Sequence, residues 1–200
     1  MEDPDVPRGT IVKVRNCIGF VLLCPKFGFK ESWPFMGKII SVANQKGGVG
    51  KTTTAVNLAA CLALSGRKVL VVDMDPLGTA SSGLGVNLKE NQRGVYELLA
   101  DDLSLELVVY PTEIDTLKII PSNVELAGAE IELVERAHRE KILSTALNGV
   151  TEEYEYVVID CPPSLGLLTL NALTASNSVL IPMQCEYYAL QGLSHLLKTL

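Results

Sequence analysis

The chain has 200 residues, of which 48% are hydrophobic, 20% charged and 6% aromatic. This composition excludes a disordered protein, and the length favours one globular domain over two. The formal net charge is -6, and the part from Met36 onward carries 12 basic against 19 acidic residues. Because binding to DNA phosphates requires clustered Lys and Arg, this acidic body is a poor DNA-binding surface by itself.

Residues 1–35 differ in composition and residue pattern from the remainder of the chain. Five aromatic residues cluster between positions 20 and 35, and neither a helical nor a strand period is visible there. We interpret this segment as an N-terminal extension, and we favour a translation start at Met36, where a strand-like run begins. The predicted domain covers residues 36–200, and residues 1–35 are predicted to be dispensable.

The cysteines indicate a reduced, cytoplasmic protein. Their number is odd and they form neither a C-x-x-C pair nor a zinc-like spacing. They are Cys17, Cys24, Cys61, Cys161 and Cys185. The apolar run 17–24 follows two basic residues but lacks a small-residue cleavage site, so we expect no export.

From Met36 onward, predicted strands alternate with predicted helices, which is typical of an α/β fold with a mostly parallel sheet and helices on both faces. Apolar β-branched runs predict strands at 38–43, 69–72, 117–120, 156–159 and 178–181. Apolar residues at helical spacing predict helices at 52–64, 94–100, 124–147, 167–175 and 189–200. Gly66 is predicted to end the first helix. The last predicted helix still continues at the final residue, so we expect the domain to be incomplete at its C-terminus.

Within 124–147, two acid–base pairs are spaced one helical turn apart, namely Glu132 with Arg136 and Glu135 with Arg139. This spacing predicts ion pairs on a solvated helix face. His138 in this segment and His195 near the chain end are interpreted as surface or packing residues.

A glycine-rich segment, Lys46-Gly-Gly-Val-Gly-Lys-Thr-Thr53, lies between the first predicted strand and the first predicted helix. Its glycines allow backbone N–H groups to fold around phosphate, and the following helix adds its positive end. Lys51 is predicted to neutralise phosphate charge, and the Thr52 hydroxyl is predicted to hold Mg²⁺. The predicted nucleotide-binding residues are Lys46, Gly47, Gly48, Val49, Gly50, Lys51, Thr52 and Thr53. Lys46 makes this segment a P-loop variant with two lysines.

Acidic residues follow two of the predicted strands. Asp73 and Asp75 come after the run 69–72, and Asp160 comes after 156–159. Because ligands bind at the carboxyl ends of parallel strands, Asp75 is predicted to orient the attacking water and Asp160 to contact Mg²⁺. Asp73 is predicted to support the loop or the metal shell. Cys161 is interpreted as a small packed residue. No N-K-x-D sequence follows, which favours ATP over GTP.

Several segments together resemble the ParA/Soj chromosome-partitioning ATPases, within the wider group that includes MinD. They are Lys46-Gly-Gly-Val-Gly-Lys-Thr, Asp73-Met-Asp-Pro, Ser82-Gly-Leu-Gly85, Leu126-Ala-Gly-Ala-Glu-Ile-Glu-Leu133, Asp160-Cys-Pro-Pro-Ser-Leu165 and Gln184-Cys-Glu-Tyr-Tyr-Ala-Leu190. The resemblance covers residues 36–200. Leu77 and Thr79 depart from it, because the family usually carries Gln and Asn at these two positions.

The resemblance implies an ATP-dependent homodimer that hydrolyses ATP to drive chromosome or plasmid segregation. Lys46 is implied to reach the partner subunit's phosphates, so that Lys46, Lys51 and Asp75 form the catalytic set. The implied partners are a ParB-like protein and non-specific DNA, the latter bound through a C-terminal region beyond this chain. The implied location is the cytoplasm, in association with the nucleoid, without a membrane partner.

Three other functions share such a phosphate loop. A metabolic ligase would need a polar substrate pocket, and the sequence offers no constellation for one. A MinD-like membrane regulator would need a basic amphipathic C-terminal helix. An iron–sulfur carrier would need two ligand cysteines per subunit, whereas only Cys161 lies near the predicted site.

Overall fold

A computed structural model of the chain describes residues 10–12, 18–23 and 38–184, with side chains from residue 38 onward. The strands within these ranges are β1 (Thr10–Val12), β2 (Ile18–Leu23), β3 (Lys38–Val42), β4 (Val69–Asp73), β5 (Tyr110–Pro111), β6 (Leu117–Ile120), β7 (Tyr156–Asp160) and β8 (Ser178–Gln184). The α-helices are α1 (Lys51–Leu64), α2 (Thr79–Gly83), α3 (Val95–Ala100), α4 (Leu126–Glu132), α5 (Ile142–Ala146), α6 (Val150–Glu153) and α7 (Leu167–Ala175). Short 3₁₀ helices cover Leu105–Leu107, Leu133–Glu135 and Arg139–Lys141.

The described strands form one sheet in the order β1-β2-β8-β3-β7-β4-β6-β5. The five central strands, β8, β3, β7, β4 and β6, run parallel to one another. At the edges, β2 pairs with β8 and β5 pairs with β6, both antiparallel. Because β7 lies between β3 and β4, the loops that follow these three strands meet at one edge of the sheet.

Helices cover both faces of the sheet, and the strand residues alternate between two cores. Val69 and Val71 of β4 belong to the core under α1, whereas Leu70 and Val72 belong to the opposite core. The opposite core also contains residues of five α-helices, namely Leu98 and Leu99 of α3, Leu126 of α4, Leu143 of α5, Val150 of α6 and Leu168 of α7. Strands buried on both faces explain the continuous apolar runs in the sequence. The predicted fold class is therefore confirmed.

The helix α1 lies close to the sheet because its buried stripe consists of small residues. Ala55, Ala59 and Ala63 are spaced one turn apart and are at most 3% exposed. The helix ends as predicted at Gly66, whose N–H donates to the Ala63 carbonyl at 2.9 Å. The Arg67 N–H donates to the Leu62 carbonyl at 3.2 Å, which completes a Schellman cap. This arrangement fixes the position of the helix whose N-terminus faces the glycine-rich loop.

The prediction of one continuous helix over 124–147 is wrong. The segment contains α4, two 3₁₀ helices and α5. The helix is interrupted at Arg136, whose backbone is extended, and at His138, whose φ of 55° is left-handed. The buried amide of Asn171 on α7 holds the break, because it donates to the Arg139 carbonyl and accepts from the Leu143 N–H.

Neither ion pair predicted within that segment forms: tertiary contacts replace the pair of Glu132 with Arg136, and Arg139 of the second pair donates to the nearby Val134 carbonyl. Arg136 pairs with Asp102 at 2.6 Å and donates to the Leu99 carbonyl at 2.8 Å. Glu132 accepts a hydrogen bond from the Tyr96 hydroxyl at 2.9 Å. These partners lie more than 30 residues away in sequence, so helical spacing could not reveal them.

Several elements were not predicted from the sequence. They are β1, β2, β5, α2, α6 and the 3₁₀ helix Leu105–Leu107. The strand β2 pairs with β8 from Ile18 opposite Gln184 to Leu23 opposite Val179. The helix predicted over 189–200, together with His195, lies outside the described residues.

Candidate nucleotide site

The glycine-rich loop connects β3 to α1 at the carboxyl edge of the sheet. Gly48 and Gly50 have φ of 71° and 87°, in the left-handed region. The helix begins at Lys51 with no acidic residue in its first turn and no side-chain cap. The first N–H groups of a helix have no acceptor within it, so they are available for an anion. The loop therefore offers a cradle for phosphate, with no acidic side chain in the first turn of α1.

The ammonium of Lys51 lies inside this loop. Its side chain is largely buried, and Nζ donates to the Lys46 carbonyl at 3.3 Å. Burial lowers the pKa of Lys51, and the negative charges of Asp160 and Asp75 oppose that shift. Lys51 therefore lies between the loop and two of the acidic residues singled out in the sequence.

Two amide side chains to which the sequence analysis assigned no role fix the loop to β8. The Lys46 N–H donates to Oδ1 of Asn44 at 3.0 Å, and Nδ2 of Asn44 donates to the Pro182 carbonyl at 2.8 Å. Nε2 of Gln184 donates to the Gly48 carbonyl at 3.3 Å. The sequence signal of Asn44 is its position directly before the loop, and that of Gln184 is its place at the start of the segment Gln184–Leu190 in the family resemblance. They restrain the half of the loop that carries Lys46.

Asp160 ends β7 and carries a buried carboxylate without a partner. The residue is 0% exposed, and neither carboxylate oxygen has a hydrogen-bond partner. Burial raises the pKa of Asp160 to about 7, with Asp73 and Asp75 adding to the rise. The Thr52 hydroxyl and the Lys51 charge act in the opposite direction, although the hydroxyl does not reach hydrogen-bonding geometry. An unpaired buried carboxylate is costly, and a cation at this position would remove the cost.

Asp73 ends β4 and is also fully buried, but protein donors occupy its carboxylate. Oδ1 accepts from the Asp75 N–H at 3.1 Å, and Oδ2 accepts from the Ser81 N–H at 2.8 Å and from its hydroxyl at 2.6 Å. Burial raises the pKa of Asp73, while the hydrogen bonds from Ser81 and Asp75 lower it. Of the two predicted roles for Asp73, these contacts favour support of the loop over the metal shell.

Asp75 lies in the turn that follows β4. It is 8% exposed, and its Oδ1 accepts from the Leu77 N–H at 3.0 Å. Its charge raises the pKa of both Lys51 and Asp160, so the three groups share one electrostatic site. The adjacent Leu77, which departs from the family pattern, has a 76% exposed side chain. Thr79, the other departure, is exposed and begins α2.

The fit of the site to Mg²⁺ rests on Asp160 and Thr52. No group of three or more His, Cys, Asp or Glu side chains within the described ranges forms a metal cluster by itself. A hard cation here would complete its oxygen ligands with phosphate and water, which is how Mg²⁺ is usually held beside nucleotides. The unpartnered oxygens of Asp160 fit that arrangement.

The remaining singled-out residues contribute no second site. Cys161 is buried beneath Asp160, and burial raises the pKa of its thiol, as expected of a packed residue. Cys61 is exposed on α1, and His138 lies in the link between two 3₁₀ helices. Three cysteines, Cys17, Cys24 and Cys185, lie outside the described residues. In the part of the chain that the structure describes, no helix has the length and apolarity needed to cross a membrane.

Fold and site together define a P-loop nucleotide-binding domain. A family model described as an AAA domain matches residues 37–200. The sporulation initiation inhibitor protein Soj of Bacillus subtilis (strain 168) is 58% identical over 164 residues, which is 82% of this chain and 65% of that protein. The chromosome partitioning protein ParA of Myxococcus xanthus (strain DK1622) is 54% identical over 171 residues, which is 86% of this chain and 60% of that protein. The chain belongs to the ParA/Soj family.

Solved structures of nucleotide-bound proteins also have a similar fold. A crystal structure of cobyrinic acid a,c-diamide synthase from Mycobacterium smegmatis with bound ADP and magnesium is 43% identical, with a TM-score of 0.76. The match covers 82% of this chain and 66% of that chain. The same protein has also been solved with an ATP analogue and magnesium. This chain thus spans less than two thirds of the length of these relatives.

Proposed function

We propose that this chain binds ATP together with Mg²⁺ and hydrolyses it. The observation that carries the proposal is the unpartnered, fully buried carboxylate of Asp160 beside the phosphate loop. The magnesium-bound nucleotides in the M. smegmatis structures support the same ligand pair here.

Different residues of the site bind the phosphates, hold the metal ion and orient the attacking water. The loop from Lys46 to Thr53 and the N-terminus of α1 bind the phosphates, and Lys51 neutralises their charge. Thr52 and Asp160 hold Mg²⁺, which supplies positive charge to the phosphate oxygens when bound. Asp75 lies at the mouth of the site, where it accepts hydrogen bonds and orients a water molecule toward the γ-phosphate.

ATP acts in this proposal as a dimerisation switch. Lys46 precedes the glycines, and a cation at that position serves the phosphates of a second subunit in a two-fold dimer. Because this contact depends on the γ-phosphate, ATP favours the dimer through its greater affinity for that state, whereas ADP does not. The names of the Soj and ParA relatives support a role in chromosome or plasmid partition.

Partition implies two further partners. A ParB-like protein would stimulate hydrolysis, and DNA would bind non-specifically through a C-terminal region beyond the acidic body formed by residues 36–200. The chain would work in the cytoplasm, in association with the nucleoid.

The test of the ATPase proposal is nucleotide binding and phosphate release by the 200-residue chain with and without Mg²⁺. We expect Lys51→Ala to abolish binding, since the phosphate charge would lose its main cation. Lys89→Ala, at an exposed lysine away from the loop, is the matched control and should bind as the parent does. Equal binding by the parent and Lys51→Ala would refute the assignment of the site.

A second candidate is ATP-dependent amidation of a small carboxylic acid. The observation that favours it is the synthase name of the M. smegmatis structure at 43% identity. The two functions differ in what stimulates turnover. Stimulation by DNA with a ParB-like protein supports partition, whereas turnover that requires a carboxylic acid and an ammonia donor supports the synthase.

A further inference from the structure

Ser81 joins the ends of two strands beside the candidate site. We propose that Ser81 is a positioning residue, which holds the Asp75 loop in its hydrolytic arrangement by linking Asp73 on β4 to Ser122 after β6. This inference rests on the proposed ATPase function. The hydrogen-bonded set Asp73, Ser81 and Ser122 is called the serine latch below.

The Ser81 hydroxyl makes two hydrogen bonds in opposite senses. It donates to Oδ2 of Asp73 at 2.6 Å and accepts from the Ser122 N–H at 3.0 Å. All three residues are buried, with exposed fractions of 0% for Asp73, 2% for Ser81 and 6% for Ser122. A buried donor or acceptor left unpaired is costly. Removal of this hydroxyl leaves the Ser122 N–H without its acceptor, and it leaves Oδ2 of Asp73 with the Ser81 N–H alone.

The latch also completes the start of α2. This helix has only five residues and its N-cap is Gly78, which has no side chain to accept from the first N–H groups. The Asp73 carboxylate replaces the missing cap, because Oδ2 accepts from the Ser81 N–H at 2.8 Å. A helix this short is not stable alone, so its position depends on the latch.

The turn that carries Asp75 is fixed between these points. The Asp75 N–H donates to Oδ1 of Asp73 at 3.1 Å, and the Gly78 N–H donates to the Asp75 carbonyl at 2.9 Å. Gly78 in turn lies against the Ser122 carbonyl, where a Cβ would come within 2.8 Å. Loss of the hydrogen bonds of the Ser81 hydroxyl therefore releases one end of the segment 75–81, and Asp75 is its other end.

The test compares Ser81→Ala with Ser82→Ala in the 200-residue chain. Ser82 is the exposed neighbour on the same helix, and its hydroxyl bonds only locally to Asn87 at 2.8 Å. In Ser81→Ala we expect amide exchange at Asp75 and Ser122 to accelerate about tenfold, the factor for one lost buried hydrogen bond. The kcat for ATP should fall by about tenfold or more. The affinities for ATP and Mg²⁺ should stay within about twofold, because the phosphate loop is unchanged.

Each other outcome has a definite meaning. Unchanged exchange in Ser81→Ala overturns the latch, and faster exchange with unchanged kcat overturns its role in positioning. An equal loss of kcat and of ATP affinity indicates general destabilisation and also overturns it. If the parent binds no ATP, the proposed function fails, whereas the exchange comparison still decides whether the latch exists. If Ser81→Ala does not fold, amide exchange is measured in the parent chain instead. The latch then requires the Ser81 and Ser122 amides to exchange more slowly than the Ser82 amide, and equal rates overturn it.

Discussion

Asp73 and Asp160 lie directly opposite each other in the register of β4 and β7, yet their carboxylates have opposite surroundings. Asp73 accepts three hydrogen bonds from the loop that follows it, whereas Asp160 accepts none. Both residues are fully buried, so burial does not distinguish them. The difference assigns Asp73 to the architecture of the loop and leaves Asp160 to bind a ligand.

The state of Asp160 predicts how the stability of the nucleotide-free chain depends on pH. Its folded-state pKa of about 7 lies above the ordinary value of 3.8 for an aspartate, so folding favours the protonated form. The stabilising effect is complete below about pH 4 and is lost as the pH rises through about 7. We expect the free energy of unfolding to fall over this range in the parent and to fall much less in Asp160→Asn. Denaturant midpoints at unchanged slope measure it.

Asp115→Asn is the control for this experiment, because Asp115 is an exposed acid in the loop before β6. It should follow the pH dependence of the parent. Since Mg²⁺ needs the ionised carboxylate, Mg²⁺-dependent ATP binding should strengthen over the same pH range in which stability falls. Parallel pH curves for the parent and Asp160→Asn would contradict the raised pKa.

Local patterns in the sequence predicted most of the sheet and the position of the acids. The runs 69–72 and 156–159 are apolar because their strands are covered on both faces, and each ends where its acid begins. Parallel strands then bring these ends to one edge, which is why a pattern of short segments could place Asp73 and Asp160 side by side.

Tertiary contacts account for what the sequence could not predict. The break near His138 depends on the Asn171 amide, which lies 32 residues from its acceptor, the Arg139 carbonyl. Asn44, Ser81 and Gln184 bear on the site through single side-chain bonds to distant backbone. Such bonds leave no periodic trace in a single sequence. The occupied carboxylate of Asp73 leaves none either, since it depends on a turn that brings Ser81 back to the end of β4.

Asp75→Ala is expected to retain ATP binding and to slow hydrolysis by a factor on the order of 10² or more, the scale of a lost positioning contact. The ATP-bound dimer should then accumulate. Phosphate release and light scattering after size exclusion provide the two measurements, with Asp115→Ala as the control at an exposed acid. Unchanged turnover would exclude Asp75 as the residue that orients water.

Lys46→Ala is expected to separate ATP binding from dimerisation. The phosphate loop and Lys51 remain in the variant, so monomeric ATP binding should stay near the parent value. ATP-dependent dimerisation and hydrolysis should both be lost, since the cation that serves the partner's phosphates is gone. Nucleotide titration beside size-exclusion chromatography with light scattering measures both, and Lys89→Ala is again the control. A Lys46→Ala variant that dimerises and hydrolyses ATP like the parent would show that Lys46 does not serve the phosphates of the partner subunit.

A chain that starts at Met36 is expected to fold with the stability of the full chain. The segment before Met36 shows no clear period, and the strand-like run and all the motifs of the site begin after it. The strand β2 pairs with β8 at the sheet edge, and its removal leaves the parallel strands unchanged in order. Denaturant midpoints at unchanged slope compare the two chains. A loss of several kcal/mol in the shorter chain would mean that residues 1–35 are part of the domain.

Gly78→Ala is expected to cost more stability than Gly66→Ala, although both glycines have left-handed backbones. Gly66 has φ of 86° with nothing within 4 Å of an added Cβ, so its substitution measures backbone strain alone, about 1–2 kcal/mol. Gly78 has φ of 61°, and its Cβ would lie 2.8 Å from the Ser122 carbonyl, which is backbone and cannot rotate away.

Gly78→Ala should therefore add a displacement of the Asp75 turn to the same strain and reduce ATP turnover, whereas Gly66→Ala, at the far end of α1, should leave turnover near the parent value. The free energy of unfolding and the kcat for ATP are measured for both variants to test this difference. Equal losses of stability with equal turnover would mean that the turn does not depend on its close approach to Ser122.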